Sequence, residues 1–128
     1  MQRPEARIML VDDERTSLTL MKETLHAIGF TKIVEYSDPN EALERIHRGD
    51  VDIIIADLHM PGMTGLELFN ASQQLGREIP FIIVSGDSTK SNVIRAIEAG
   101  VCNYIVKPVN RDSLISSVIH AASIAVPQ

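Results

Sequence analysis

IIIADLH, residues 53–59, places four apolar residues directly before the carboxylate of Asp57. A short apolar run rich in isoleucine is typical of a strand that is buried on both faces of a parallel sheet. A carboxylate at the end of such a strand lies close to the core, where an uncompensated charge costs free energy. The stretch therefore predicts a buried central strand, and it indicates that a positive group compensates Asp57.

Four other short apolar runs share this character, and helical patterns separate them. The five runs are RIMLV (7–11), KIVEY (32–36), VDIIIA (51–56), PFIIV (80–84) and NYIV (103–106). Five alternations of strand and helix predict right-handed βαβ units and a parallel sheet with helices on both faces. We expect one α/β domain over residues 1–128, with a core from about residue 6 to residue 123.

The first two helices are indicated by periodicity and by capping residues. In the first helix, apolar residues recur at three- and four-residue spacing, which marks one face of a helix: Leu18, Met21, Leu25 and Ile28. The second helix is predicted to begin after Asp38 as the cap. Pro39 suits the first helical position, and Glu41 would complete a capping box. Gly49 follows the expected end of this helix.

Capping residues also predict the other three helices. Thr64 and Glu67 form a second capping box, and Gly76 is expected to stop that helix. Ser88 is predicted to cap a fourth helix that runs to Gly100. Its inward residues are predicted to be Val93, Ile94 and Ile97. A fifth helix is expected to begin at the cap Asn110 and to present Leu114, Val118 and Ala122 on one face.

Composition limits the class of protein. The chain is 45% apolar and 23% charged, so it can bury a core. The net charge of −5 argues against direct binding to nucleic acid, and no apolar run approaches about 18 residues, so we expect no membrane span. The start, MQRPEAR, has no apolar signal core. Cys102 is the single cysteine and is expected to fill the core, so we predict a cytoplasmic protein without disulfides.

Polar residues follow four of the five runs. Ligands of an open parallel sheet bind at the carboxyl ends of its strands, and the residues found there are Asp12, Asp13, Asp57, Ser85, Gly86, Lys107 and Pro108. If the strands take the flavodoxin-like order 2-1-3-4-5, strands one and three are neighbours. The three carboxylates would then converge, and they would repel unless a cation lies among them.

This set of side chains suits phosphoryl transfer. Oxygen ligands without cysteine or paired histidine favour Mg²⁺, so Asp12 and Asp13 are predicted to hold the metal. Asp57 is the candidate nucleophile, because it ends the most apolar central strand. Lys107 supplies a point charge for a phosphate oxygen, and Ser85 supplies a hydroxyl donor.

Each of these residues alone has an ordinary explanation. An aspartate after a strand is often a helix cap or a turn residue. A serine there is usually a turn hydroxyl, a lysine is usually a solvated surface charge, and His59 has no second histidine nearby to form a ligand pair. Their joint placement after four strands favours a functional site.

The chain resembles the receiver domain of two-component response regulators, most closely the single-domain chemotaxis (CheY-like) type. The resemblance covers about residues 6–123, and four blocks carry it: MLVDDE (9–14), IIIADLHMPGMTG (53–65), IVSGD (83–87) and NYIVKPV (103–109). It implies a flavodoxin-like (βα)5 sandwich with strand order 2-1-3-4-5.

The resemblance also implies roles for individual residues. Asp57 would be the phospho-acceptor, and Lys107 would bind the phosphate through its ammonium. Mg²⁺ would be contacted directly by Asp13, mainly through water by Asp12, and by the backbone carbonyl of His59. The switch residues would be Ser85 and Tyr104, and the Lys107–Pro108 bond would be cis.

Two positions differ from the commonest pattern of this family. Gly86 stands where alanine is more usual, which should loosen the loop after Ser85. His59 lies two residues after the acceptor, and Asp87 lies two residues after Ser85. We expect His59 and Asp87 to line the path of the incoming water and to set the lifetime of the phosphate.

The expected partner is a sensor histidine kinase or a phosphotransfer protein that donates its phosphoryl group to Asp57. The output surface would be the face of helix four, strand five and helix five, with a monomer or a weak dimer formed through it. Its predicted residues are Ile94, Arg95, Glu98, Tyr104, Val106 and Arg111. Ile94 and Val106 could equally belong to the core.

Other functions remain compatible with the sequence. A Mg²⁺-dependent phosphohydrolase of the haloacid-dehalogenase type shares the nucleophilic aspartate, but in that family a D-x-D signature follows strand one. Here an acidic pair is early and residue 59 is histidine. The chain could also be a receiver that no longer needs phosphate, or a receiver module cut from a longer regulator or hybrid kinase.

Overall fold

The computed structural model describes residues 5–76 and 78–125, in which five strands alternate with five helices. The strands are β1 (Ile8–Val11), β2 (Ile33–Tyr36), β3 (Ile53–Ala56), β4 (Phe81–Ser85) and β5 (Asn103–Val106). The helices are α1 (Arg15–Ala27), α2 (Pro39–His47), α3 (Gly65–Gln73), α4 (Lys90–Ala99) and α5 (Arg111–Ile124). Four of the five predicted runs start one or two residues before the observed strand, and the fifth matches β5.

The strands form one parallel sheet in the order β2-β1-β3-β4-β5, which confirms the predicted fold. Val11 at the end of β1 is in register with Ala56 at the end of β3. The next residue on each strand is an aspartate, so the register places Asp12 beside Asp57. Ser85 at the end of β4 is likewise paired with Val106 of β5.

The core has two halves, one on each face of the sheet, and β3 contributes to both. Ile53 and Ile55 pack in a cluster with the buried faces of α1 and α5. Ile54 and Ala56 pack in a second cluster with buried residues of α2, α3 and α4. All four β3 residues are buried, as expected for a central strand covered on both faces. The strand that leads to Asp57 is therefore held rigidly from both sides.

The predicted capping residues are mostly confirmed. The Thr64 hydroxyl accepts the Glu67 N–H at 3.0 Å, and the Glu67 carboxylate accepts the Thr64 N–H at 2.9 Å. Asn110 caps α5, whose predicted inward residues Leu114, Val118 and Ala122 are buried. Asp38 caps α2 as predicted, by accepting the N–H of Asn40. In the described part of the chain, neither hydrogen bond of the predicted capping box between Asp38 and Glu41 is observed.

The prediction for α4 is wrong in two respects. The cap is Thr89 rather than Ser88, and the Thr89 N–H is bound by the Asp87 carboxylate at 2.8 Å. Ile94 and Ile97 point outward, with 44% and 46% exposure, and Ala96 is the one buried residue of this helix. The small Ala96 side chain lets α4 lie close to the sheet, and β5 is the edge strand, so little protein extends beyond it to cover the isoleucines.

No helix in the described part of the chain is long and apolar enough to cross a membrane.

Candidate functional site

Three carboxylates converge at the carboxyl rim of the sheet, as the sequence predicts. Asp12 and Asp13 follow β1, Asp57 follows β3, and each offers an oxygen within 4.8 Å of the other two. Asp12 is fully buried and Asp57 is 8% exposed, whereas Asp13 is open to solvent. Asp13 and Asp57 line an open cleft of about 510 Å³ together with the other site residues, which are Glu14, His59, Ser85, Gly86, Asp87 and Lys107.

Lys107 supplies the positive charge that compensates these carboxylates. Its ammonium lies 2.9 Å from Asp12 Oδ2 and 3.2 Å from Asp57 Oδ2. It also lies 2.7 Å from Glu14 Oε1, a contact that the sequence does not indicate. Lys107 directly follows β5, and the Lys107–Pro108 bond is cis, as the resemblance implied. The lysine therefore joins the edge strand to the acidic cleft.

The pKa values of these groups follow from burial and from hydrogen bonding. Burial raises the pKa of Asp12, although hydrogen bonds from the Glu14 N–H and from Lys107 oppose the shift. Burial alone would lower the pKa of Lys107, but hydrogen bonds to Glu14 and Asp12 outweigh it and raise the pKa above its ordinary value. Lys107 is therefore a permanent cation at neutral pH.

The acidic cluster fits a divalent metal ion. Asp12, Asp13 and Asp57 present hard oxygen ligands close enough to share one ion, which suits Mg²⁺ better than Zn²⁺. One lysine also cannot neutralise three carboxylates, so a cation would relieve the remaining repulsion. The residues present therefore fit a magnesium site.

Ser85 and Tyr104 meet at the loop that follows β4. The buried Ser85 hydroxyl accepts the Asp87 N–H at 3.1 Å. The Tyr104 hydroxyl donates to the backbone carbonyl of Asp87 at 2.6 Å. The two predicted switch residues are thus joined through the backbone of Asp87.

His59 and Asp87 face each other across the mouth of the cleft. His59 Nε2 lies 2.7 Å from Asp87 Oδ2, so the pair links the loop after β3 to the loop after β4. Asp87 also accepts hydrogen bonds from the Thr89 N–H and the Asn92 side chain, each at 2.8 Å. The hydrogen bond from His59 is the main reason that the pKa of Asp87 is well below its ordinary range.

Gly65 holds the loop after β3 against the backbone of Asp57. Its N–H donates to the Leu58 carbonyl at 2.8 Å. A Cβ atom at this position would collide with the carbonyl oxygen of Asp57 and would approach Ile83 Cδ1 to 3.1 Å. The close approach requires glycine, and it fixes the position from which the Asp57 side chain extends.

The residues predicted for the output face lie mostly on the surface. Ile94 and Val106 are 44% and 42% exposed, so neither belongs to the core. Arg95, Glu98 and Arg111 are exposed, and Tyr104 is half-buried. The structure thus leaves an apolar and charged surface across α4, β5 and the start of α5.

Sequence reasoning missed Glu14, Gly65 and Asn92 as parts of the site. Glu14 and Gly65 both lie within the motif blocks MLVDDE and IIIADLHMPGMTG, which was the available signal. Asn92 carries no such signal, because its contact with Asp87 depends on where α4 begins.

Comparisons with known proteins agree with this geometry. The family model described as the response regulator receiver domain matches residues 8–119. The chain is 36% identical over 104 residues to the chemotaxis protein CheY of Pseudomonas aeruginosa, covering 80% of this chain and 84% of that protein. It is 34% identical over 114 residues to the C4-dicarboxylate transport transcriptional regulatory protein DctD of Rhizobium meliloti, covering 89% of this chain and 25% of that protein.

A solved structure shows the same fold. The CheY-like response regulator receiver domain protein from Methanospirillum hungatei JF-1 superposes with a TM-score of 0.85 at 26% identity, covering 94% of this chain and 96% of that one. The fold, the acidic cleft and the family match lead to one conclusion: the chain belongs to the response regulator receiver domain family of two-component signalling.

Proposed function

We propose that this protein is a phosphorylation-dependent signalling switch that accepts a phosphoryl group on Asp57. The observation that carries the proposal is the position of the Asp57 carboxylate, which lies beside Asp12 and Asp13 and 3.2 Å from the Lys107 ammonium. A nucleophile with a fixed cation beside it is arranged for phosphoryl transfer.

The proposed donor is a phosphohistidine on a sensor histidine kinase or a phosphotransfer protein. An Asp57 carboxylate oxygen attacks the phosphorus atom and forms a P–O bond as the P–N bond breaks, and the electron pair leaves with the imidazole. Lys107 donates hydrogen bonds to the phosphoryl oxygens, and the Ser85 hydroxyl donates one more. The product is an acyl phosphate that adds about −1.5 to −2 charge units.

Mg²⁺ is the proposed cofactor, held by Asp12, Asp13, Asp57 and the backbone carbonyl of His59. When bound, it neutralises the negative charge of the carboxylates and of the phosphoryl oxygens. Asp13 is the exposed member of the set and is the proposed direct ligand, whereas the buried Asp12 would act mainly through water.

The proposed switch runs through Asp87. In this structure the Ser85 hydroxyl accepts a hydrogen bond from the Asp87 N–H. When the hydroxyl turns to the phosphate, this hydrogen bond is broken. Because Tyr104 is bound to the carbonyl of Asp87, this loss would alter its position. The change would reach the face of Ile94, Arg95, Glu98, Tyr104, Val106 and Arg111, where a protein target or a second copy in a weak dimer would bind.

A turnover enzyme is the less favoured function. The family match and the similarity to CheY support a signalling role over that of a phosphohydrolase of the haloacid-dehalogenase type. The chain matches a quarter of DctD, and this match supports a second candidate, a receiver module that works within a longer regulator.

The direct test is labelling of the purified protein with acetyl phosphate, followed by intact mass measurement. With Mg²⁺ present, we expect one added phosphoryl group per chain. Removing the metal with EDTA should reduce labelling to background, because the carboxylates would then repel the donor. Labelling that is unaffected by EDTA would contradict the metal assignment, and no labelling with Mg²⁺ would contradict the function.

The lifetime of the phosphate should depend on His59 and Asp87 as a pair. Since the two side chains meet across the mouth of the cleft, replacing either by alanine removes the bridge, although Asp87 keeps its hydrogen bonds from Thr89 and Asn92. We expect His59→Ala, Asp87→Ala and the double variant to speed hydrolysis of the acyl phosphate by about the same factor. The rates are measured as phosphate release. If the double variant were accelerated by the product of the two single-variant factors, His59 and Asp87 would act independently and the paired role would be contradicted.

A further inference from the structure

Glu14 is the acidic residue of the cleft that has no role in the function proposed above. It lies between the acidic pair and α1, with its side chain 62% exposed. Its carboxylate accepts a hydrogen bond from Lys107 at 2.7 Å and another from the Ser17 hydroxyl at 3.1 Å. The hydrogen bond from Lys107 is the main reason that the pKa of Glu14 is below its ordinary value.

All three hydrogens of the Lys107 ammonium have a carboxylate partner in the unphosphorylated protein. A lysine ammonium carries three N–H donors, and three carboxylates lie within hydrogen-bonding distance: Glu14 at 2.7 Å, Asp12 at 2.9 Å and Asp57 at 3.2 Å. The shortest of these contacts is to Glu14 and the longest is to the phosphate acceptor. The ammonium therefore lies closer to Glu14, at the start of α1, than to Asp57.

When Asp57 is phosphorylated, the hydrogen that Lys107 gives to Asp57 passes to one phosphoryl oxygen. A second hydrogen bond from the ammonium to the phosphoryl group then requires Asp12 or Glu14 to release Lys107. Asp12 is fully buried, where water cannot replace a lost hydrogen bond from Lys107. Glu14 is largely exposed, so water can replace the lysine at little cost. The exchange therefore falls on Glu14.

We propose that Glu14 is a positioning residue that competes with the phosphoryl group for Lys107 and so weakens the phosphorylated state. The inference rests on the proposed function of Asp57. Glu14 retains the lysine in the unphosphorylated protein and gives it up when Asp57 is phosphorylated. This competition lowers the affinity of the site for a phosphoryl group without blocking it.

The test uses beryllofluoride, which adds to a carboxylate in the place of a phosphoryl group, at saturating Mg²⁺. Its affinity is measured from amide shifts in NMR titrations of the wild-type protein, Glu14→Ala and Glu23→Ala. Glu23 is exposed on the same helix, so its replacement removes the same charge far from Lys107. We expect Glu14→Ala to bind about threefold more tightly than wild type, as suits an exposed ion pair, and Glu23→Ala to bind as wild type does.

The Lys107→Ala background separates competition from a general charge effect. In that background the gain from Glu14→Ala should disappear, because there is no ammonium to compete for. An equal gain in both backgrounds would overturn the proposal, and so would wild-type affinity in Glu14→Ala. Failure of the wild-type protein to bind beryllofluoride would overturn the proposed function of Asp57 and this inference with it.

Discussion

Asp57→Asn should reduce labelling by acetyl phosphate to background while leaving the fold intact. The amide oxygen of asparagine has no negative charge and is a poor nucleophile, and the side chain stays nearly the same size. The N–H of residue 57, which binds the Val11 carbonyl at 2.9 Å, is unaffected by the change. Intact mass after incubation with acetyl phosphate and Mg²⁺ measures the loss, and circular dichroism checks the fold.

The matched control is Asp112→Asn, which makes the same chemical change at an exposed position of α5. It should be labelled as fully as the wild-type protein. If Asp57→Asn still took up a full phosphoryl group, the phospho-acceptor would be another carboxylate and the assignment of Asp57 would be wrong. Peptide mapping would then find that carboxylate, and Asp13 would be the first candidate, because it is the most exposed of the three.

Lys107→Ala should be labelled and yet lose most of the response to the phosphate. Asp57 keeps its nucleophilic carboxylate, but the link between the phosphate and the end of β5 is gone. The phosphate-dependent NMR shift of Tyr104, two residues before the end of β5, should therefore fall to a small fraction of its wild-type size.

Without Mg²⁺, the Lys107→Ala variant should also be less stable than the wild-type protein. Lys107 is 14% exposed and compensates the buried Asp12, so its removal leaves a buried carboxylate beside Asp57 without a cation. We expect a loss of about 2 kcal/mol in the free energy of unfolding, recovered when Mg²⁺ is added. Lys32→Ala, which removes an exposed lysine before β2, should show neither effect. A wild-type Tyr104 response in Lys107→Ala would contradict the proposed path of the switch.

The sheet was predictable because its signal is local and strong. IIIADLH is apolar without interruption up to its aspartate, so the strand and the position of Asp57 at its end follow from seven residues. The α4 prediction was wrong because periodicity shows that apolar residues share a face, and does not show whether that face meets the core or the solvent. Ile94 and Ile97 share such a face, and it is exposed at the edge of the sheet.

The sequence was sufficient to predict which main residues meet at the site. It was not sufficient to predict the individual contacts between them. The carboxyl ends of parallel strands meet at one rim, which brings Asp12, Asp57 and Lys107 together from distant parts of the chain. Glu14 could not be assigned in this way, because an acidic residue at a helix start is ordinary and its contact depends on the rotamer of Lys107. The His59–Asp87 pair likewise needed the geometry of two loops.

The central claim is that Asp57 carries a phosphoryl group in a cleft where Lys107 and a Mg²⁺ held by acidic residues neutralise the phosphoryl charge. An NMR titration of the wild-type protein with Mg²⁺, and then with beryllofluoride, tests it most directly. Mg²⁺ should shift the amide signals of residues 12, 13 and 57–59, and beryllofluoride should extend the shifts to Ser85, Tyr104 and Lys107. No saturable shift, or shifts centred on another surface, would contradict the account.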